Sequence, residues 1–427
     1  MTTQLTTSPV RRRIAAVLFV AQSFFSASTI AAFTLSPIIA ANLSGSDTAA
    51  GIPNTLTLVG RAAFAYPLGY MMDRFGRRIA LGSGYAFSVV GALISILAII
   101  YNSYVGFLLG ALLLGMARSA GDQSRYVAAE VFPLARRAKV IGLVVFAGTV
   151  GAIGGPLLVD PSTQWVSLYG LAPEVGPFMI ATIAMIICVL TIFIFLRPDP
   201  REIGRAIAEE EAAADPDSLE HQKSARSLRE IFSAPLVQLA ILSMVIGYFV
   251  MAFLMVITPL HMNNHEHTTR AISNVIMAHT LGMFGLSWLT GWLIDRFGRI
   301  TIILVGSLVL IASCIVAPLS LQVPILGLAL FLLGLGWNFT FVAGSSLLSD
   351  ALAAHERARA QGVTEAIVAL AAGGASFLVG YAFQQGDYLL VSIIGLAFSL
   401  LLVAFTFVLG RGAWTPLRIS KKLAESS

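Results

Sequence analysis

Charged residues are scarce in this sequence. Of its 427 residues, 11% are charged and 57% are hydrophobic, and the mean hydropathy is +0.84. Soluble domains typically carry about 25% charged residues. The composition therefore excludes an ordinary soluble domain and places the chain in a lipid bilayer.

Cysteine and the short motifs of common catalytic sites are also rare or missing. The two cysteines, Cys188 and Cys314, lie within apolar runs, which indicates small core residues rather than a disulfide or a metal pair. The sequence has no phosphate-binding Gly-x-x-x-x-Gly-Lys loop, no zinc pattern and no nucleophile motif. We therefore predict that the protein is neither an enzyme nor an ATP-driven pump, and that it has no metal site and no cofactor.

Long apolar runs dominate the chain instead. A run needs about 20 residues to cross a hydrocarbon core of about 30 Å. Because the runs here are continuous rather than alternating, they predict an all-α membrane protein with twelve transmembrane helices. The predicted spans are residues 14–41, 49–72, 79–101, 104–129, 138–159, 177–196, 235–260, 271–293, 300–319, 324–348, 360–383 and 388–410.

The basic residues lie almost entirely on one side of this map. Arg61, Arg118 and Arg125 fall deep inside spans, and Arg270 falls on the opposite side. The other 23 of the 27 Lys and Arg residues, with Lys139 at the very edge of its span, lie on the side that holds both termini. Positive charge concentrates in cytoplasmic loops, so both termini are predicted to be cytoplasmic. The net charge of +5 then reflects topology, and a nucleic-acid partner is not expected because the basic residues are spread along a membrane face.

One charged motif occurs twice between apolar spans. Residues 69–78 read GYMMDRFGRR, and residues 291–300, 222 positions later, read GWLIDRFGRI. We call these segments the first and second gating loops, after the role predicted for them below. Ser36-Pro37 recurs at the same offset as Thr258-Pro259, so the chain is a duplicated unit. The predicted domains are an N-terminal six-helix bundle at 1–196, a cytoplasmic linker at 197–234, and a C-terminal six-helix bundle with a cytoplasmic tail at 235–427.

The duplicated motif and the span pattern resemble the major facilitator superfamily over nearly the whole chain. The resemblance implies two six-helix bundles that work by alternating access, with loops that latch one conformation through an Asp and through an Arg facing an acid on a neighbouring helix. The alternative is a pair of loops that only anchor topology. The gating residues that the resemblance implies are Asp73, Arg77 and Glu130 in the first half and Asp295, Arg299 and Asp350 in the second.

The fifth span carries a glycine pattern of Gly142, Gly151 and Gly155-Pro156. It resembles the motif of proton-coupled exporters, although Val159-Asp160 stand where a glycine pair is usual. The pattern favours a drug:proton antiporter-like exporter. Glycines at this spacing also let helices approach closely, so packing alone is the alternative explanation.

Ionised residues at mid-span indicate a binding site, because a charge at that depth is costly unless it faces a cavity or a partner. Arg118, Asp122 and Arg125 stand at i, i+4 and i+7, on one helical face. Arg61 lies 12 residues from Asp73, about 18 Å along its helix. Guanidiniums bind carboxylate or phosphate, so these residues predict an anionic or amphipathic solute. The alternative is structural, with Asp122 neutralising both arginines of its own helix.

Further polar positions complete the predicted site. Gln22 on the first span and Trp337-Asn338 on the tenth are predicted to contact the solute. Asp122, Glu365 and His279 are the candidates for proton coupling, since a buried carboxylate or imidazole can titrate near neutral pH.

Together these features predict a proton-coupled secondary transporter for a small organic solute, exporting it. The alternatives are a proton-driven uptake symporter for an organic anion and, in another class, a non-transporting membrane receptor or scaffold. The expected partners are the solute, protons and the lipid bilayer. We expect a monomer in the plasma membrane, as in a bacterial inner membrane.

Overall fold

The computed structural model describes residues 8–214, 227–352 and 354–411. These residues are helical almost throughout, and none of them lies in a strand. The prediction of an all-α membrane protein is confirmed. The helices are α1 Ser8–Ser44, α2 Ile52–Phe75, α3 Arg77–Ile100, α4 Tyr104–Glu130, α5 Leu134–Ser167, α6 Val175–Phe195, α7 Pro200–Ala214, α8 Leu228–Ser233, α9 Pro235–Asn264, α10 Thr269–Phe284, α11 Ser287–Phe297, α12 Arg299–Val316, α13 Val323–Asp350 and α14 Ala354–Leu409.

Each of the twelve predicted spans falls on a helix or on part of one. By length and composition, nine described helices can cross a membrane, or ten if the bent pair α10 and α11 is one span. The other two predicted spans are α2 and the second half of α14. Helix α14 contains the last two spans in one helical stretch, interrupted by non-helical backbone at Gly386 and Asp387.

Both gating loops turn at a glycine, in a backbone conformation that only glycine readily adopts. The φ angle is +91° at Gly76 and +87° at Gly298, in a region that a Cβ atom disfavours. Each glycine ends one helix and begins the next, α2 to α3 and α11 to α12. The duplicated sequence therefore produces a duplicated backbone turn.

The described chain forms two compact units. Of the described residues, unit 1 contains 8–214, 256–277 and 376–385, and unit 2 contains 227–255, 278–352, 354–375 and 386–411. Within unit 1, α3 packs along α4 and α6, α1 packs against α5 and α6, and α2 packs against α4. Within unit 2, α12 packs along α13, and α11 contacts both.

Small residues allow one close helix crossing in each unit. In unit 1 a Cβ on Gly60 of α2 would overlap the Leu112 carbonyl of α4, and one on Gly115 of α4 would overlap Thr57 of α2. In unit 2 Gly282 of α10 and Gly334 of α13 make the equivalent contacts. Close approach through glycines is a common way for membrane helices to associate, and here it sets the α2 to α4 spacing on which the unit 1 site depends.

The linker helix α7 packs onto unit 1. Ile203 and Ile207 of α7 are buried in the same apolar core as Leu18, Tyr85 and Ile192. Burying two isoleucine side chains is worth roughly 3 to 6 kcal/mol by apolar area. Helix α7 is therefore held to this unit by its own apolar face.

Candidate functional site

The mid-span acid of α4 pairs with a different helix. Arg61 Nε of α2 lies 2.6 Å from Asp122 Oδ2 of α4, and the two side chains are 28% and 34% exposed. The close crossing at Gly60 and Gly115 brings these two helices near enough for the ion pair. Helical spacing within α4 had placed Asp122 beside Arg118 and Arg125, whereas the structure gives Asp122 a partner on α2.

This pairing leaves the other two arginines of α4 with no carboxylate partner in the part of the chain that the structure describes. Arg118 is half-buried and makes no ion pair or hydrogen bond to any described residue. Arg125 lies over the ring of its neighbour Tyr126, with its Cζ 4.9 Å from the ring centroid, and Nη2 donates to the Tyr126 hydroxyl at 3.2 Å. Neutralisation of both arginines by Asp122 is therefore not the arrangement found.

Arg118 lines a small cavity within unit 1. The cavity has a volume of about 40 Å³, enough for a few water molecules or one small polar group. Its apolar walls include Phe33, Phe107 and Phe178. Its polar lining consists of Thr29, Ser36, Asn54, Thr57, Ser95 and Arg118.

The four hydroxyl groups that line this cavity each donate a hydrogen bond to a backbone carbonyl of their own helix. Thr29 donates to the Phe25 carbonyl at 2.9 Å, Ser36 to Ala32 at 2.8 Å, Thr57 to Pro53 at 2.9 Å and Ser95 to Gly91 at 2.9 Å. Each hydroxyl then offers only acceptor lone pairs. The cavity thus combines one cationic donor, Arg118, with a ring of acceptors, which suits a group that is anionic at one end and carries N–H or O–H beside it.

Gln22 of α1 faces α4 at the same level. Its Oε1 accepts a hydrogen bond from Ser124 Oγ at 2.9 Å, and the residue is half-buried. Its amide nitrogen donates to no described residue. The structure thus brings Gln22 into contact with α4 at Ser124, which is two residues beyond Asp122.

The first gating loop is held by several contacts within unit 1. Arg77 binds Glu130 of α4 through two hydrogen bonds, Nε to Oε2 at 2.9 Å and Nη2 to Oε1 at 3.0 Å. Its Nη1 donates to Asp73 at 2.9 Å. Asp73 is 80% exposed, so this contact is a surface pair, whereas the Glu130 contact is largely shielded. Bidentate guanidinium to carboxylate pairs are strong and fix geometry.

A second acid, Asp199, completes this loop. The backbone N–H groups of Arg77 and Arg78 donate to its two carboxylate oxygens, each at 3.1 Å, so the carboxylate caps the N-terminus of α3. The Arg201 N–H donates to the same carboxylate at 2.9 Å, and Arg78 Nε donates to the Phe193 carbonyl at 3.1 Å. Sequence reasoning missed Asp199, although it stands between two prolines directly after a span, a position from which it can reach a neighbouring helix end.

The second gating loop has fewer contacts within unit 2. Arg299 Nε lies 2.7 Å from Asp350 Oδ2 of α13, the counterpart of the Arg77 to Glu130 pair. Asp295 is exposed and makes no contact with a described residue through its carboxylate. Ile300, which replaces the second arginine of the first loop, is 4% exposed and lies against Gly410.

The tenth-span residues of unit 2 have different surroundings. Trp337 is 7% exposed and stacks on Phe341 at 5.0 Å between ring centroids, with Tyr248 and Phe284 edge-on. Its indole N–H is buried without a hydrogen-bond acceptor among the described residues. Trp337 is therefore the centre of an aromatic cluster with one unused donor.

Asn338 holds the break between α10 and α11. It is 1% exposed, and its Nδ2 donates to the Met283 carbonyl at 2.7 Å and to Ser287 Oγ at 3.0 Å, while its Oδ1 accepts from Thr290. The two helices bend by 42° at this point. Both the nitrogen and the oxygen of the Asn338 side-chain amide therefore make hydrogen bonds at the bend.

The remaining candidates for proton coupling lie apart in unit 2. Glu365 is exposed on α14 and has no ion pair with a described residue. His279 is fully buried, and its Nδ1 lies 2.9 Å from the Leu330 carbonyl. Neither residue has the paired, half-buried setting of Asp122. Among the described residues, no group of three or more His, Cys, Asp and Glu side chains could hold a metal ion.

Known proteins are similar to this chain in sequence and in fold. Residues 17–376 match the Major Facilitator Superfamily. The chain is 32% identical to the uncharacterized MFS-type transporter YdeG of Bacillus subtilis, over 92% of this chain and 90% of the relative, and 28% identical to the riboflavin transporter RfnT of Brucella anthropi, over 88% and 90%. It is similar in fold to a bacterial homologue of the lysosomal transporter Spinster, with a TM-score of 0.71, 16% identity and coverage of 95% of this chain and 98% of that one.

These matches define a multi-pass membrane transporter that is not an enzyme. The chain belongs to the major facilitator superfamily. The resemblance deduced from the duplicated gating loops is confirmed.

Proposed function

We propose that this protein moves a small organic solute with an anionic group together with a proton, by alternating access. The observation that carries this proposal is Arg118, a guanidinium that lines a polar cavity of unit 1 and has no carboxylate partner among the described residues. Ionisable residues inside a membrane are costly and are usually paired or functional. A solute carboxylate or phosphate would supply the missing counter-charge.

The hydroxyl acceptors that line the cavity narrow the chemical class of the solute further. Since the hydroxyls of Thr29, Ser36, Thr57 and Ser95 donate to backbone carbonyls, a solute group beside the anion binds them best as a donor. The aromatic cluster around Trp337 supports a solute with a flat or apolar portion as well. Riboflavin, the solute named for one relative, has such a ring but no acid, so riboflavin and its 5′-phosphate form a matched pair of probes.

Asp122 is the proposed proton carrier. It stands one helical turn from Arg118 and is paired with Arg61. A solute anion near Arg118 is repelled by an ionised Asp122, so solute and proton bind better together than separately. Protonation of Asp122 would also remove its ion pair with Arg61.

Mutual reinforcement of this kind favours symport, whereas antiport needs the proton and the solute to compete. The charge geometry thus favours the uptake symporter that the sequence left as an alternative. The glycine pattern of α5 supports export as the second candidate. Asp122 ranks above Glu365 and His279 because it alone among the three has an ion pair with a described residue and stands one helical turn from Arg118.

The direction of accumulation in proteoliposomes tests this proposal. With a pH gradient imposed across the membrane, a symporter concentrates riboflavin 5′-phosphate on the alkaline side, and an antiporter concentrates it on the acidic side, whichever way the protein is inserted. We expect accumulation on the alkaline side and at least tenfold slower transport of uncharged riboflavin. Accumulation on the acidic side would establish antiport, and equal transport of both probes without proton movement would refute the anionic site.

Two variants and a matched control assign the roles of the charged residues. Arg118→Gln should lower kcat/KM for riboflavin 5′-phosphate about 10- to 100-fold, as expected for one charge-assisted contact. Arg125→Gln is the matched control, since that arginine lies on Tyr126, and it should change kcat/KM less than threefold. Asp122→Asn should abolish gradient-driven accumulation and keep solute exchange at zero gradient. Equal losses in the two arginine variants would contradict the assignment of Arg118.

A further inference from the structure

One ion pair in unit 1 lies at the end of the spans opposite the first gating loop, which we call the outer side. Arg270, at the start of α10, donates from Nε to Asp160 Oδ2 of α5 at 3.0 Å. Gln164 Nε2 donates to the same oxygen at 3.0 Å. The Asp160 side chain is 16% exposed and that of Arg270 is 72% exposed, so the acid is held in place and the base reaches it from the surface.

Both partners stood out in the sequence for reasons that the transport site does not use. Asp160 occupies the place of a glycine pair in the pattern of the fifth span, and Arg270 is the single basic residue predicted outside the cytoplasmic loops and the spans. The structure brings these two residues together across 110 positions of sequence. One contact therefore accounts for both departures.

Backbone contacts seal the same side of unit 1. A Cβ on Gly51, directly before α2, would overlap the Ser376 carbonyl of α14, and one on Gly380 of α14 would overlap the Thr48 carbonyl. Asn54 Nδ2 donates to Ser376 Oγ at 2.5 Å. The chain segments meet here with no room for a side chain, so the contact depends on glycine at both positions.

We propose that the Asp160 to Arg270 pair is an outer latch, which holds the outer side closed over the Gly51 and Gly380 contacts and has to break each time the transporter exchanges solute on that side. An exposed ion pair is weak, and weakness suits a contact that opens in every cycle. Asp160 and Arg270 are positioning residues, since neither lines the Arg118 cavity. The proposal depends on the transporter class alone and not on the identity of the solute.

Cysteine labelling from the outer side tests the latch. Cys188 and Cys314 are both buried, so a reporter introduced as Ser36→Cys, on the Arg118 cavity, gives a low background. The probe is a membrane-impermeant maleimide applied to right-side-out vesicles, with everted vesicles as the control for orientation. Asp160→Asn and Arg270→Gln should each raise the labelling rate from the outer side about two- to fivefold, the range expected for loss of an exposed pair.

The charge-swapped double variant, Asp160→Arg with Arg270→Asp, separates a latch from a general structural role. It should return the labelling rate to within twofold of the wild-type rate, because the attraction is restored with its sign reversed. Unchanged labelling in both single variants, or a double variant that labels as fast as the singles, would overturn the proposal. Transport assays on the same vesicles show whether the transporter itself is working, so failure of the latch and failure of the proposed symport are distinguished.

A backbone variant tests the same latch without touching a charge. Gly51→Ala should raise the labelling rate more than either charge variant, since the Ser376 carbonyl has to move away. Gly154→Ala is the matched control, because a Cβ at that glycine of α5 meets no atom within 4 Å. Equal labelling in the two variants at equal yields of folded protein would contradict the role of the glycine contacts.

Discussion

The first gating loop of unit 1 and the second gating loop of unit 2 turn on glycines of nearly the same conformation, with φ of +91° at Gly76 and +87° at Gly298. Around this shared turn the contacts differ. Arg77 binds Glu130 through two hydrogen bonds and also contacts Asp73, while Arg299 has an ion pair with Asp350. The two loops therefore share a backbone turn and differ in the side-chain contacts that stabilise it.

The second difference is the residue that follows the gating arginine. Arg78 donates to the Phe193 carbonyl, and its backbone shares Asp199 with that of Arg77. Ile300 instead lies in the apolar core of unit 2 near Gly410. One loop is thus held by charge and hydrogen bonds, and the other mainly by apolar packing. We therefore expect polar substitutions to have unequal effects in the two loops.

The largest difference is expected for the gating arginines themselves. Arg77→Gln leaves Glu130 unpaired in a largely shielded position, which costs about 2 kcal/mol and should lower the apparent melting temperature by about 2 to 4 °C. Arg299→Gln removes a more exposed pair worth about 0.5 to 1 kcal/mol. Thermal unfolding of the two purified variants measures both effects, and equal shifts would show that the two loops are held alike.

A smaller effect is expected for the helix cap that only the first loop has among the described residues. Asp199→Ala removes the acceptor for the N–H groups of Arg77 and Arg78 and should cost about 1 kcal/mol. Asp199→Asn keeps an oxygen acceptor and should recover at least half of that loss. Thermal unfolding measures this effect too. An Ala variant as stable as the wild type would show that Asp199 does not stabilise the first gating loop.

The smallest stability effects are expected for the acids of the two motifs. Asp73 is 80% exposed, so Asp73→Asn should change the free energy of unfolding by less than about 0.5 kcal/mol, and Asp295→Asn by less still. If the first loop is a latch, Asp73→Asn nevertheless slows turnover while KM is unchanged. Initial transport rates over a range of solute concentrations separate the two quantities, and an unchanged kcat would leave Asp73 with no gating role.

Sequence reasoning predicted the helices well because the length of an apolar run is itself the physical requirement for crossing a membrane. It also predicted the α4 face, since i, i+4 and i+7 spacing is a property of one helix. The interruption at Gly386 and Asp387 falls in the gap predicted between the last two spans. The bend held by Asn338 was not predicted, because it lies inside an apolar run. Hydropathy does not register a change of backbone direction.

Contacts between helices were the harder part of the site. The Arg61 to Asp122 pair depends on how closely α2 and α4 cross at Gly60 and Gly115, and no single-helix rule gives that distance. Asp199 was missed for a similar reason, because its partners are backbone N–H groups 121 and 122 positions away. Arg125 lies on Tyr126, a contact that helical spacing does not predict, and its role toward the solute stays a prediction.

The most direct test of the central claim is the proton balance of solute binding in purified protein. Riboflavin 5′-phosphate is added to the protein in weakly buffered detergent solution, and the pH change is corrected for the probe's own ionisation with a protein-free blank. Cooperation between Arg118 and Asp122 predicts that protons are taken up on binding by the wild type and that no uptake occurs with Asp122→Asn. Proton release on binding, or the same uptake by the Asn variant, would contradict it.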